Sequence, residues 1–194
     1  MSDKQNMLES RPYNAAHPEL KQERLRARKL LWQLNRSNPE DEAERAQILH
    51  ELLPNAAQDL HLEPPFFCDY GTQIYTGKNV FINFNCTILD CAKVEIGDHT
   101  LIGPNVQIYT ATHPLLPHKR LEGLESAQKV RIGKNVWLGG GCIILPGVWI
   151  GDNAYGLNIS NLAYTAAGPL CKRFKRKSGV LPISSSKLLT SAIR

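Results

Sequence analysis

The chain is expected to be mainly β, a left-handed parallel β-helix of hexapeptide repeats preceded by an N-terminal helical hairpin. Aliphatic residues recur at every sixth position through the middle of the chain. Glycines often follow them, with small turn formers two residues further on, as in IGDHT, IGPNV, IGKNV and IGDNA. Helix-period apolar spacing is confined to the first third. These observations divide the 194 residues into a helical segment (1–58), a β-helix (59–155) and a divergent basic tail (156–194).

Residues 18–53 read as two helices. In PELKQERLRARKLLWQL, Leu20, Leu25, Leu30, Leu31 and Leu34 fall on one stripe, and Pro18 suits a first turn. After NRSNP, Asn38 is the expected N-cap with Pro39 at the first helical position. Ile48, Leu49, Leu52 and Leu53 supply the buried face of that second helix, and Pro54 and Asn55 end it.

From about residue 70 a six-residue phase takes over. Thr76, Ile82 and Ile88 form a first run, and Ile96, Ile102 and Ile108 a second after a two-residue slip. Ile132, Leu138, Ile144 and Ile150 resume it beyond a loop. Each hexapeptide then supplies one short strand and one turn, and three make a triangular coil. The aliphatic side chain points inward and stacks on its equivalents in neighbouring coils, so several coils must form together. Gly and Asn suit the corners, where the backbone leaves its ordinary range. Residues 113–130 interrupt the repeat as a long polar excursion, the kind of segment that carries function on a rigid scaffold.

Composition narrows the class. The first residues lack the apolar core of a signal peptide, and no apolar run reaches the roughly 18–20 residues that span a bilayer. Five cysteines without a CxxC pair suit a reducing compartment. A cytoplasmic protein without membrane contact is the expectation. The formal charge of +5 reflects the tail: without the seven Lys and Arg beyond Asp152 it would be −2. That argues against nucleic acid as a partner. The cluster KRFKRK, beginning at Lys172, is read as a solvated end or as a contact for an anionic cofactor.

Five strings together resemble the maltose, galactoside and nodulation-type sugar O-acetyltransferases of the hexapeptide-repeat family: ERLRARKLLWQLN, EPPFFCDYG, INFNCTILD, IYTATHPL and VRIGKNVWLGGGCIILPGVWIGDNA. The resemblance runs from about residue 7 to 154. It implies transfer of acetyl from acetyl-coenzyme A (acetyl-CoA) to a sugar hydroxyl, in a homotrimer with sites between neighbouring β-helices. Such a reaction needs a base for the hydroxyl proton and a donor for the thioester oxyanion.

His113 in TATHP matches the family's catalytic histidine. Asn83 in NFN matches a position that meets the substrates, with Asn85 better suited to a coil corner. Asp69 and Asp90 fall in the acceptor segments, Asp69 being equally readable as a turn residue. Galactoside enzymes carry a second Asp after the position of Asp90, where this chain has Cys91, so sugar specificity does not carry over. Trp137, Gly139 and Gly140 match the coenzyme side, with Lys172 a candidate for its phosphates. Trp137 is also readable as a core or subunit contact. Glu125 is either an orienting partner for His113 or a solvated loop residue. No metal is expected. A zinc hydrase on the same scaffold would use His113 and His118, yet it lacks a third ligand beyond His99, itself read as a turn residue.

The resemblance stops after GDNA. The family continues with another coil ending in a Thr-Lys pair, whereas this chain reads YGLNISNLAYTAAGPLCKRFKRK. The competing expectation is therefore a catalytically impaired or inactive β-helix with an altered coenzyme-binding coil.

Overall fold

The computed structural model describes residues 1–156. Lys172, the basic cluster and the rest of the divergent tail lie outside the described residues.

The repeats build a parallel β-helix with three faces. The first face stacks His61–Leu62, Phe81–Ile82, Leu101–Ile102, Trp137–Leu138 and Tyr155–Gly156. The second stacks Phe66–Cys68, Cys86–Leu89, Gln107–Tyr109 and Ile143–Ile144. The third stacks Ile74–Thr76, Val94–Ile96, Val130–Ile132 and Trp149–Ile150. Every neighbouring pair is parallel, and equivalent repeat positions are in register: Ile82 with Ile102, Ile102 with Leu138, Ile88 with Ile108, Ile96 with Ile132.

The six-residue phase is thus a description of the core. Ile82, Ile88, Ile96, Ile102, Ile108, Ile132, Leu138 and Ile144 are all buried. Alternation along each strand turns their neighbours outward. Thr76 departs from this pattern because it stands in the first coil of its face. Its hydroxyl accepts the backbone N–H of Ala57 at 2.9 Å.

Asparagine and glycine both occupy corners, as expected, and glycine has a second use. The left-handed backbone falls on Asn79, Asn85, His99, Asn105, Asn135 and Asn153, with φ between 52° and 59°, and on Gly71, Gly141 and Gly147, with φ between 74° and 79°. The short polar side chain of Asn is well tolerated there. His99 is accordingly a turn residue, and Asn85 a corner. Gly77, Gly97, Gly103 and Gly133, which follow repeat positions, serve close approach between coils. A Cβ on Gly97 would lie 2.6 Å from the carbonyl carbon and oxygen of Gly133 in the next coil.

The helices close the open end of the prism. Helices α1 (Asp3–Leu8), α2 (Pro18–Leu34) and α3 (Glu42–Leu52) precede the first coil. Ala27, Leu30, Leu31 and Leu34 of α2 and Ile48 and Leu52 of α3 join one core with Leu62, Phe66 and Ile74. Asn35 ties the cap to the sheet edge: its Nδ2 donates to Phe66 O at 3.0 Å, and its Oδ1 accepts Phe66 N at 2.9 Å. That satisfies backbone groups an open edge would leave bare.

Three local expectations need correction. Leu25 is 52% exposed, because only four of the five leucines in its helix face packed neighbours. The cap of α3 is Asp41, whose carboxylate accepts Glu44 N at 2.9 Å; Asn38 instead makes a turn by accepting Glu40 N. The excursion 113–130 is largely a hairpin. Ala111–Thr112 pairs antiparallel with Leu124–Ala127, and helix α4 (Pro117–Leu121) lies at its tip.

Candidate active site

Among the described residues, the irregularities of the repeat fall at one corner, where the second face turns into the third. There the chain inserts Asp69–Gln73, then Asp90–Lys93, then the hairpin after Tyr109. The two-residue slip and the long excursion are therefore stacked on one another, along one edge of the prism. That edge gathers most of the polar side chains singled out for chemistry.

His113 directly follows the first hairpin strand and is exposed. The hairpin pairs Thr112 with Ser126, so continuing that register by one residue brings position 113 across from Glu125. On its other edge the same strand pairs with Tyr13–Asn14, Tyr13 lying opposite Glu125. The fully buried Tyr13 donates its hydroxyl to Glu125 Oε2 at 3.1 Å. Glu125 is thus held in a three-stranded sheet rather than loose in a loop, on the strand that faces the histidine. Burial, reinforced by Cys91 and Glu125, keeps the Tyr13 phenol protonated well above its ordinary range.

Beside this sheet, Cys91 Sγ donates to Asp69 Oδ2 at 3.4 Å. Burial raises the Asp69 carboxyl above its usual value, and burial chiefly, then the charge of Asp69, raises the Cys91 thiol. A thiol held protonated is a poor nucleophile. Arg24 reaches in from α2, donating from Nη1 to the Tyr70 hydroxyl at 2.6 Å and from Nη2 to Ala15 O at 2.5 Å. Repeat reading misses Tyr13, Arg24 and Tyr70 because they belong to no periodic run. Arg24 lies inside the string ERLRARKLLWQLN and Tyr70 inside EPPFFCDYG.

Asp90 departs from its expected role. It is 0% exposed, and both carboxylate oxygens face backbone. Oδ1 accepts Asp69 N at 3.0 Å and Tyr70 N at 2.8 Å; Oδ2 accepts Gln73 N at 3.1 Å. A side chain so enclosed cannot touch an acceptor; it shapes the corner that carries Asp69. Burial pushes its pKa up to about 7 although the N–H groups of Tyr70 and Gln73 pull the other way. Relative to the unfolded chain, the fold therefore shifts Asp90 toward its protonated form, with ionisation setting in near pH 7. Its contribution to stability is full below the ordinary carboxyl range and is lost as pH rises through about 7. The melting temperature of Asp90→Asn should accordingly gain on that of the parent between pH 4 and 8, measured by thermal scans in matched buffers.

The remaining candidates sit elsewhere. Asn83 follows the first face, half-buried, with its Oδ1 accepting Phe84 N at 2.8 Å. Trp137 is 49% exposed on the first face, in register with Leu101 and Tyr155, which are exposed to similar degrees. Gly139 is corrected as a coenzyme contact through its amide, since that N–H donates to Gly156 O at 2.6 Å. Gly140 packs against Pro104 of the coil before it. One chain thus holds two groups on different parts of the prism: His113 and Asp69 at one corner, Trp137 and Asn83 on the first face and the turn after it. Among the described residues, no three His, Cys, Asp or Glu side chains meet so as to hold a metal ion. No described helix is long and apolar enough to cross a membrane.

Residues 6–56 match the family described as maltose acetyltransferase hexapeptide capping motif, and residues 129–155 that described as bacterial transferase hexapeptide (six repeats). Nodulation protein L from Rhizobium meliloti (strain 1021) is 51% identical over 148 residues, spanning 76% of this chain and 80% of that protein. The chain belongs to the hexapeptide-repeat acetyltransferases. A maltose O-acetyltransferase from Clostridium difficile 630 shares its structure with a TM-score of 0.78 and 41% identity, covering 80% of this chain and 83% of that one. A galactoside acetyltransferase in complex with coenzyme A gives 0.76 and 34%, covering 80% and 78%. In this acetyltransferase the match to the repeat family falls on the stretch after the hairpin, where no corner insertion disturbs the six-residue phase. The capping match spans α2 and α3, the helices that close the prism.

Proposed function

We propose that this acetyltransferase moves acetyl from acetyl-CoA to a hydroxyl of a sugar such as maltose, glucose or a galactoside, with His113 as general base. The observation that carries the reading is the exposed imidazole at the end of a hairpin strand, beside a corner of buried, hydrogen-bonded acid, phenol and thiol groups. The maltose and galactoside relatives support a sugar acceptor, and the relative in complex with coenzyme A supports the donor.

In the proposed step, the imidazole takes the proton of the sugar hydroxyl as its oxygen attacks the thioester carbonyl. The tetrahedral intermediate carries its negative charge on the former carbonyl oxygen, where the Asn83 amide is the proposed donor. Collapse breaks the carbon–sulfur bond. The imidazolium returns the proton to the departing coenzyme thiolate, leaving an acetyl ester and a neutral base. Asp69 is the proposed acceptor-side carboxylate.

Separation of the two residue groups supports a homotrimer in which His113 of one copy faces the first face of another. The ladder of Leu101, Trp137 and Tyr155 then has an apolar occupant, the partner chain or the pantetheine arm. The compartment proposed is the cytoplasm.

The test is coenzyme release and ester formation from acetyl-CoA with maltose, glucose and a galactoside, alongside calorimetric titration of acetyl-CoA. Transfer to at least one sugar with micromolar donor affinity is expected. Binding without transfer to any of them would overturn the sugar assignment. Absence of donor binding would favour the impaired alternative, in which the altered tail fails to complete the coenzyme site.

A further inference from the structure

The edge that carries the candidate site is held by a ladder of side-chain oxygens, one per coil. Thr110 begins it. Its hydroxyl accepts Ala92 N at 2.9 Å and donates to Leu89 O at 2.6 Å, so it grips the corner containing Asp90 from both sides. Asp90 continues it one coil earlier, taking the N–H groups of Asp69, Tyr70 and Gln73. Both side chains are 0% exposed. The corner held by Asp90 also contains Gly71, with φ at +76°. A Cβ there would lie 2.2 Å from Leu52 O of the capping helix. The backbone of residues 69–73 is therefore tied on one side to the helical cap and on the other to a single buried carboxylate.

We propose that Asp90 is a positioning residue for the acceptor side of the site: its carboxylate sets the direction of the Asp69 side chain, and Thr110 in turn sets Asp90. The inference rests on the acyl-transfer reading above and adds to it a division of labour between adjacent carboxylates. Asp69 faces the substrate while Asp90 never meets it. A misplaced acceptor contact far from the bond being made still lowers the rate, because transfer depends on orientation. The donor is held by other residues, so only the acceptor terms should move. Asp90→Asn keeps the shape of the side chain but turns one of its acceptors into an NH2 group. Oδ1 and Oδ2 both face backbone N–H donors, so either orientation of the amide loses at least one bond and sets two donors against each other.

The test uses the full chain and two readouts. Hydrogen exchange without substrate follows the amides of Asp69, Tyr70 and Gln73; steady-state kinetics follow the acceptor and acetyl-CoA separately. Asp90→Asn is expected to speed exchange at those three amides and to raise the acceptor KM on the order of 10-fold or more, with the acetyl-CoA KM unchanged. Thr110→Val should shift both readouts in the same direction by less. Thr110→Ser, which keeps the hydroxyl, should stay near the parent. If Asp90→Asn does not fold, the Thr110 pair carries the test alone. Unaltered exchange at the corner amides would overturn the clamp. Faster exchange with an unchanged acceptor KM would overturn its positioning role. A parent enzyme that acetylates no sugar would instead sink the functional reading, a failure distinct from both because exchange is measured without any acceptor.

Discussion

His113→Ala is expected to lower kcat on the order of 10²–10⁴-fold, the usual contribution of a positioned general base. The side chain is exposed at the end of a short strand, so its removal leaves no cavity, and stability should change by no more than about 0.5 kcal/mol. The check is transfer from acetyl-CoA to the best acceptor of the parent, with thermal scans on the same preparations. Acetyl-CoA affinity should be nearly unchanged, because the imidazole acts on the acceptor hydroxyl. A variant retaining more than a tenth of the parent rate would remove His113 from the proposed step. Glu125→Gln offers a graded comparison. It keeps an acceptor for the Tyr13 hydroxyl while removing the charge from the strand opposite position 113.

Gly97→Ala should be strongly damaging to coil stacking, and at a glycine whose φ lies in the ordinary range. The new Cβ would meet the carbonyl carbon and oxygen of Gly133 at 2.6 Å and Lys134 N at 2.7 Å. These are backbone atoms of the next coil, so relief requires the coils to separate and their inter-strand hydrogen bonds to stretch. Overpacking of this kind costs about 1–3 kcal/mol, and the rigid contact places it at the upper end or beyond. Gly151→Ala is the matched comparison. It follows Ile150 as Gly97 follows Ile96 on the same face, but a Cβ there meets nothing within 4 Å among the described residues. Its effect should stay within about 0.5 kcal/mol. Denaturant unfolding of both variants against the parent measures the difference. Equal effects would show that the glycines serve backbone conformation rather than coil spacing.

The corner explains why some residues were legible and others were not. A stacked coil repeats its chemistry at fixed intervals, so Ile82, Ile102 and Leu138 announce themselves by spacing alone. Asp90 announces only that it is an acid in an acceptor segment. Whether it faces a substrate or three backbone N–H groups depends on where the preceding coil lies, and no local pattern carries that. Tyr13 is further from reach still. Its strand is two residues long, and its partner Glu125 lies 112 residues away in sequence.

By itself, the sequence determined the three-sided coil, the N-terminal helical hairpin, the asparagine and glycine corners and His113 as the chemical candidate, because each is written in local spacing or in a long matching string. Only the tertiary structure decided that the slip and the excursion share one edge, that Asp90 is enclosed, and that Trp137 stands on a different part of the prism from His113. The physical reason is that side-chain period is a property of one strand, whereas burial and juxtaposition are properties of coils laid on one another.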